Sequence, residues 1–173
     1  MPGPVILVEG ASDRTALRTL AARLGRDLSD VDVVAMGGIT NLGHHLRRLG
    51  AGTAVRVLHD AAETPFVDRA LARHAGPAAR FVCDADLEDE LIRALGVDRV
   101  LEVVAQAGDL GLWQTLRNQP YHRERPEPAV LRRFFGTTSG RKDKYAALLT
   151  AALDPARAPA PLAACLGAGA DFH

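Results

Sequence analysis

No stretch of the chain approaches the ~20 consecutive apolar residues of a membrane-spanning helix. The apolar run nearest its start, Pro4 to Val8, is too short for a signal peptide and gives way to an acid, Glu9. Cysteine is scarce: Cys83 and Cys165 lie far apart, and neither has a partner at zinc-site or redox spacing. That excludes a disulfide framework and a cysteine-held zinc. The pair suits a reducing compartment, with Cys83 a buried strand residue, and a cytoplasmic location is expected. Net charge is missing as well. Lysine and arginine number 21, and so do aspartate and glutamate, which excludes a uniformly basic nucleic-acid footprint. No glycine-rich loop ending in Gly-Lys-Ser/Thr occurs, so a built-in P-loop ATPase is excluded too.

What is present fits one domain. The 173 residues are 47% apolar and 24% charged, ordinary globular values at a length that buries a core without staples. The zero net charge hides a segregation. From Asp84 to Glu102 there are seven acids (Asp84, Asp86, Glu88, Asp89, Glu90, Asp98, Glu102) against Arg93 and Arg99. From Gly111 to Thr150 there are eight bases (Arg117, Arg123, Arg125, Arg132, Arg133, Arg141, Lys142, Lys144) against Glu124, Glu127 and Asp143. Such neighbours suit metal-assisted phosphate chemistry, or are solvated helix faces.

The first half alternates strand-like and helix-like segments. Val5-Ile6-Leu7-Val8 reads as a strand buried on both faces. Ser12 then offers a cap for a helix with Leu17, Leu20, Ala21 and Leu24 at helical spacing, stopped by Gly25. Val31 to Met36 is a second strand and Gly37-Gly38 its turn; Thr40 caps a helix carrying Leu42, Leu46 and Leu49. Ala54 to Leu58 is the third strand, Thr64-Pro65 opens a third helix, and Phe81-Val82-Cys83 is a short fourth strand. This order predicts an α/β fold, a parallel sheet of about four strands between helices. After Asp84 the pattern is wholly helical, interrupted by a polar loop from Gln119 to Pro128 and another from Gly136 to Gly140. The expected organisation is a single domain over residues 1–153, with a helical part at 86–153. An Ala/Pro-rich tail, 154–173, is expected to pack loosely.

In parallel sheets, ligands bind at the carboxyl ends of strands. Glu9 follows the first strand, Asp60 the third, and Asp84 and Asp86 the fourth, with Asp13 and Glu88 close behind. Hard divalent cations take oxygen ligands of this kind, and two such ions can serve the attacking and leaving oxygens of an in-line displacement. Each acid alone has a plainer reading: Asp13 as a helix-dipole partner, Asp84 to Glu90 as an acidic helix start. Glu9 directly after a buried strand is harder to explain that way, because an unpaired charge there is costly.

These residues carry a resemblance. Val8-Glu9-Gly10-Ala11-Ser12-Asp13, Met36-Gly37-Gly38-Ile39-Thr40-Asn41, Leu58-His59-Asp60-Ala61-Ala62-Glu63, Asp86-Leu87-Glu88 and Ser139-Gly140-Arg141-Lys142 come in one order. Together they resemble the Toprim domain of the OLD (overcoming lysogenization defect) nucleases, in a small standalone actinobacterial form, over roughly Pro4 to Leu153. The resemblance implies a Rossmann-like Toprim sheet and a nuclease that cleaves or nicks DNA with Mg2+ or Mn2+, one ion or two. It implies Glu9 and Asp13 as ligands of one metal, Asp60 as a bridging ligand, and Asp86 with Glu88 as ligands of the second. Lys142 would steady charge on the phosphate, making Glu9, Asp60 and Lys142 the catalytic set. The chain departs from the family where Asp60 is followed by Ala61 and Ala62 in place of Asp-x-Asp. Lacking the P-loop, it is expected to hydrolyse no ATP and to act as a homodimer or with an ATPase partner in trans.

The competing reading is a catalytically weak module that binds nucleic acid or a partner. A receiver-like phosphoacceptor fits less well, since Glu-Gly stands where a receiver has paired aspartates. Arg141 and Lys144 are expected to position the nucleic-acid backbone. Arg123 and Arg125, flanking Tyr121 and His122, suit stacking on an unpaired strand or are plain loop residues. His44-His45, on a basic helix face, is a phosphate contact or, more simply, solvated surface. His59, beside Asp60, is a candidate ligand or a donor to one, and Trp113 reads as core.

Overall fold

The continuous aliphatic run at the start becomes the innermost strand. In a computed structural model, which describes residues 3–138 and 140–167, β1 (Val5–Val8) lies between β2 (Asp32–Ala35) and β3 (Val55–Asp60). β4 (Ala78–Cys83) pairs with the outer side of β3, so the order is β2-β1-β3-β4 with every pairing parallel. Ser139 of the expected loop motif and residues 168–173 of the expected tail lie outside the described residues.

Strand alternation sorts the core into two layers. Val5 and Leu7 of β1 join Val55 and Val57 of β3 against α2 (Leu42–Arg48) and α3 (Thr64–Leu71). Ile6 and Val8 face the other way, into a larger cluster with Leu17 and Leu20 of α1 (Ala11–Arg23). That cluster continues through the helical half: α4 (Leu87–Leu95), α5 (Val97–Gln106), α6 (Leu110–Arg117), α7 (Pro120–Arg123), α8 (Glu127–Gly136) and α9 (Arg141–Ala152). Trp113, Phe134, Phe135 and Tyr145 form its aromatic centre, and α9 packs along α1. No helix among the described residues is long and apolar enough to cross a membrane. Both cysteines are free and buried.

Several local expectations need correction. The first helix is capped by Gly10 and not Ser12, because the Asp13 carboxylate accepts the Gly10 N–H at 2.9 Å and draws the start two residues earlier. Thr40 sits inside a 3₁₀ turn, Ile39–Asn41, and α2 begins only at Leu42. The turn before it uses two glycines at positive φ, 72° at Gly37 and 126° at Gly38, which side chains resist. β3 runs on to Asp60, so that acid ends a strand instead of following one. β4 starts at Ala78, in register with Val55, despite an unpromising Ala-Ala-Arg start. Part of the loop expected from Gln119 to Pro128 is helical: Pro120 opens α7 from its first turn, and α8 starts at Glu127.

The largest correction concerns the tail. Residues 155–157 form a 3₁₀ turn and α10 (Ala160–Cys165) follows. Leu162 and Cys165 are fully buried in the main core, and Arg56 of β3 donates Nη1 to the Cys165 carbonyl at 2.8 Å. Alanine and proline dominate the composition, but the sparse stripe of Leu162, Cys165 and Leu166 decides the packing. Leu162→Ala should therefore destabilise the protein by about 2–4 kcal/mol, read as a lower urea midpoint. A loosely packed tail would leave that midpoint unchanged.

Candidate metal centre at the carboxyl edge of the sheet

The chain leaves β1 for β2 on one side and then crosses back to β3 on the other, so the strand order reverses between β1 and β3. Crevices at such reversals are where open α/β sheets bind ligands. Val8 pairs in register with Leu58, so the parallel ladder brings Glu9, just beyond β1, next to the end of β3, where Asp60 stands. Asp13 adds a carboxylate from the first turn of α1. Asp86 caps α4, accepting the Asp89 N–H at 2.9 Å, and Glu88 lies buried in that helix's first turn. Lys142 comes from the first turn of α9, its Nζ 3.4 Å from Glu88 Oε1. All six line one cleft of about 460 Å³.

The acids fall into two electrostatic groups. Asp86 and Glu88 each have a cation: Arg132 donates Nη2 and Nε to Asp86 Oδ2 at 2.5 and 3.2 Å, and Lys142 faces Glu88. Glu9, Asp13 and Asp60 have no ion pair within 4.0 Å among the described residues. Burial pushes the Asp60 carboxyl up to about 7, helped by the negative charges of Asp13, Glu9, Asp86 and Glu63. Burial also raises Asp13, against the Gly10 N–H bond and the Lys142 charge. Glu88 is raised by burial, with Lys142 opposing. Burial alone would lower Lys142, but Glu88, Asp13 and Asp86 outweigh it and its ammonium stands above the usual lysine value.

Among the described residues, no three His, Cys, Asp or Glu side chains form a finished ligand cluster for a metal ion. The geometry accounts for this, since Asp86 is engaged by Arg132, Glu88 by Lys142 and Asp13 by the Gly10 N–H, while like charges stand apart. The donor set is nonetheless right for a hard divalent cation: carboxylate oxygens, desolvated, mutually repelling and open to one cleft.

Two features of the site were not read from the sequence. Arg132 counted only as one base among eight; its partner lies 46 residues earlier, and no local pattern announces the pairing. Glu90 is buried and accepts the Asp84 N–H at 2.8 Å while pairing with Arg93 at 2.9 Å. Arg93 also meets Asp89 at 2.9 Å and Asp84 at 3.6 Å. The Asp84-Ala85-Asp86 triplet is thus split, with Asp86 lining the cleft and Asp84 exposed beside Arg93.

The bases expected to hold nucleic acid do not line the cleft. Arg141 donates to the Phe134 carbonyl at 3.0 Å and lies over the Phe134 ring, and Lys144 pairs with Asp109 at 2.8 Å. Arg123 donates to the Asn118 carbonyl at 3.1 Å, and Arg125 lies 4.5 Å from the Tyr121 ring centroid. His59 is buried behind Asp60, its Nδ1–H donating to the Asp60 carbonyl at 2.8 Å. Burial lowers its pKa.

The model of the family "Overcoming lysogenization defect protein-like, TOPRIM domain" matches residues 4–61, which carry Glu9, Asp13 and Asp60. Two solved structures share the fold along nearly the whole chain. The C-terminal region of the Burkholderia pseudomallei OLD protein is 18% identical, with a TM-score of 0.67, and the alignment covers 96% of each chain. The C-terminal region of the Xanthomonas campestris pv. campestris OLD protein is 23% identical, also at 0.67, covering 95% of this chain and 93% of that one. No curated protein matches the sequence. The fold is therefore the Toprim-like one of these C-terminal regions, a four-stranded parallel sheet flanked by helices, and the residues that match the family model span its first three strands.

The repulsion has a measurable sign. A carboxyl with a raised folded-state pKa binds its proton more tightly folded than unfolded, so stability is lost as pH rises from about 4 to about 7 and stays lost above that. In EDTA at pH 8, Asp60→Asn should be more stable than wild type by about 1–2 kcal/mol, allowing for solvent screening at this half-buried group. The difference should vanish near pH 4. Equal melting temperatures at both pH values would show that Asp60 feels no such field.

Proposed function

We propose that this chain is a divalent-metal-dependent nuclease that cleaves or nicks nucleic-acid phosphodiesters, most simply DNA, in the cytoplasm. One observation carries the reading: Glu9, Asp13 and Asp60 meet in one cleft at the strand-order reversal, and none of them has an ion-pair partner within 4.0 Å among the described residues. Glu9 and Asp13 would hold one Mg2+ or Mn2+, with Asp60 placed to share it with a second ion. Asp86 and Glu88 could serve that second ion only on leaving Arg132 and Lys142. Bound there, such an ion supplies a polarised phosphate and a water activated at neutral pH.

The protein's own groups do the rest. Lys142 carries a compact positive charge that can turn from Glu88 to a non-bridging phosphate oxygen as charge builds there. Arg132 fixes Asp86 at the head of α4 and so keeps the cleft's far wall in place. The Gly10 N–H, bonded to the Asp13 carboxylate, holds Asp13 beside Glu9. The chain itself hydrolyses no ATP in this reading, and an ATPase in trans or a second copy is the partner it would work with.

A binding module with little catalysis is the second reading. The Ala61-Ala62 departure favours it, as do the cations already seated on Asp86 and Glu88.

Two measurements separate them. Supercoiled plasmid should be nicked with Mn2+ or Mg2+ by wild type and not by Glu9→Gln, while calorimetry shows Mn2+ binding weakened in the variant. Mn2+ binding without any nicking supports the module, and no Mn2+ binding removes both the metal and the nuclease. Lys142→Ala should lower the nicking rate by ~10²–10³, whereas Lys144→Ala, already committed to Asp109, should stay within a few-fold of wild type. Equal, modest losses in the two would leave Lys142 as one more surface base.

A further inference from the structure

The acidic cleft repels a polyanion, and Arg141, Lys144, Arg123 and Arg125 are occupied within the helical half. A nucleic-acid substrate needs a cationic surface elsewhere. One lies on the opposite face of the sheet, where a second groove of about 630 Å³ runs between α2 and α3. Its walls carry His44 and Arg47 from α2 and Arg69, Arg73 and His74 from α3 and the turn after it, and no acid lines it.

These cations are free to act. The side chains of Arg47, Arg69 and Arg73 make no ion pair or hydrogen bond with any described residue. α2 contains no acid, and the single acid of α3, Asp68, is held by Arg80 at 2.6 Å. The floor is apolar, formed by Leu46, Leu49, Phe66 and Ala70. Gly43 also lines the groove, and a Cβ there would lie 3.5 Å from Arg47 Nη1, so the guanidinium reaches back one turn over the glycine. Thr40, which lines the groove, stands two residues past Gly38, whose N–H bonds the Glu9 carbonyl at 3.0 Å. This part of the lining is therefore joined by a short turn to the edge that carries the acids.

We propose that this groove holds an unpaired nucleic-acid strand, with its phosphates on Arg47, Arg69 and Arg73 and its bases against Phe66 and the neighbouring leucines. An apolar floor between cationic walls offers surface to bases as well as phosphates, whereas a duplex presents its phosphates outward and keeps its bases stacked inside. The identity of the polymer rests on the nuclease reading.

The test is fluorescence anisotropy in EDTA with a labelled single-stranded DNA, the same sequence as single-stranded RNA, the DNA duplex, and a polyglutamate peptide. Two variants are compared with wild type after circular dichroism confirms their fold. Arg47→Ala/Arg69→Ala/Arg73→Ala removes the charge, and Gly43→Leu fills the groove without altering charge. Single-strand binding, of DNA or RNA, should weaken at least about tenfold in both. In the triple variant the slope of log affinity against log salt should also fall by about 2, as expected for three lost phosphate contacts. Wild-type binding retained in both variants overturns the groove assignment and leaves the nuclease reading standing if plasmid is still nicked. Loss confined to the duplex, or polyglutamate bound as tightly as the single strand, overturns it as well. A wild-type protein that neither binds nucleic acid nor nicks plasmid removes the nuclease reading along with it.

Discussion

The parallel ladder between β1 and β3 is the constraint on which the site depends. Once Val8 is in register with Leu58, Glu9 and Asp60 have no choice but to approach each other at the strand-order reversal. The aliphatic side chains of these two strands, sealed by helices on both faces, supply the stabilisation that holds like charges together. A sheet less thoroughly buried would relax this edge by fraying. Asp60 remains under strain of a chemical kind, its carboxyl pushed up to about 7, because the packing behind it does not yield.

Much of this was legible in the sequence, and the reason lies in which residues carried the signal. β1, α1 and α3 announced themselves through local chemistry: a β-branched run, helical spacing of leucines, a Thr-Pro start. The cleft residues were legible as strand exits, since a strand predicted within two residues still places its exit acid at the right edge. Caps were less legible, because Ser12 and Gly10 both suit that position and the choice depended on where Asp13 turned. α10 was hidden by composition: alanine and proline outnumber Leu162 and Cys165, yet burial is decided by the few large side chains. Arg132 was invisible, since a pairing across 46 residues exists only after α4 and α8 have docked.

The same contrast holds for the bases. Charge counted along the chain put the cationic surface in the helical half, but arginine is long and planar and often serves as structural mortar. Arg117 illustrates this, donating to the carbonyls of His122 and Arg125 and tying the turn around α7. Only two lysines occur, Lys142 and Lys144, and the structure divides them between the cleft and Asp109. The basic face of α2 was legible around His44-His45, but Arg69 and Arg73 stand singly along the chain and only the fold sets them across a groove from it.

The clasp between Arg56 and the Cys165 carbonyl has a consequence for the order in which the molecule comes into being. β3 carries both Arg56 and Asp60, and α10 packs against β3 and β4. The α1–α9 contact likewise waits for residues more than a hundred positions downstream. Contacts of such sequence separation form late and slow folding. During synthesis, the sheet can pair early from local βαβ units, but the larger core cannot close until α10 has left the ribosome. The acidic cleft is thus completed only with the last helices, and a nascent or prematurely ended chain exposes the sheet face that α10 should cover.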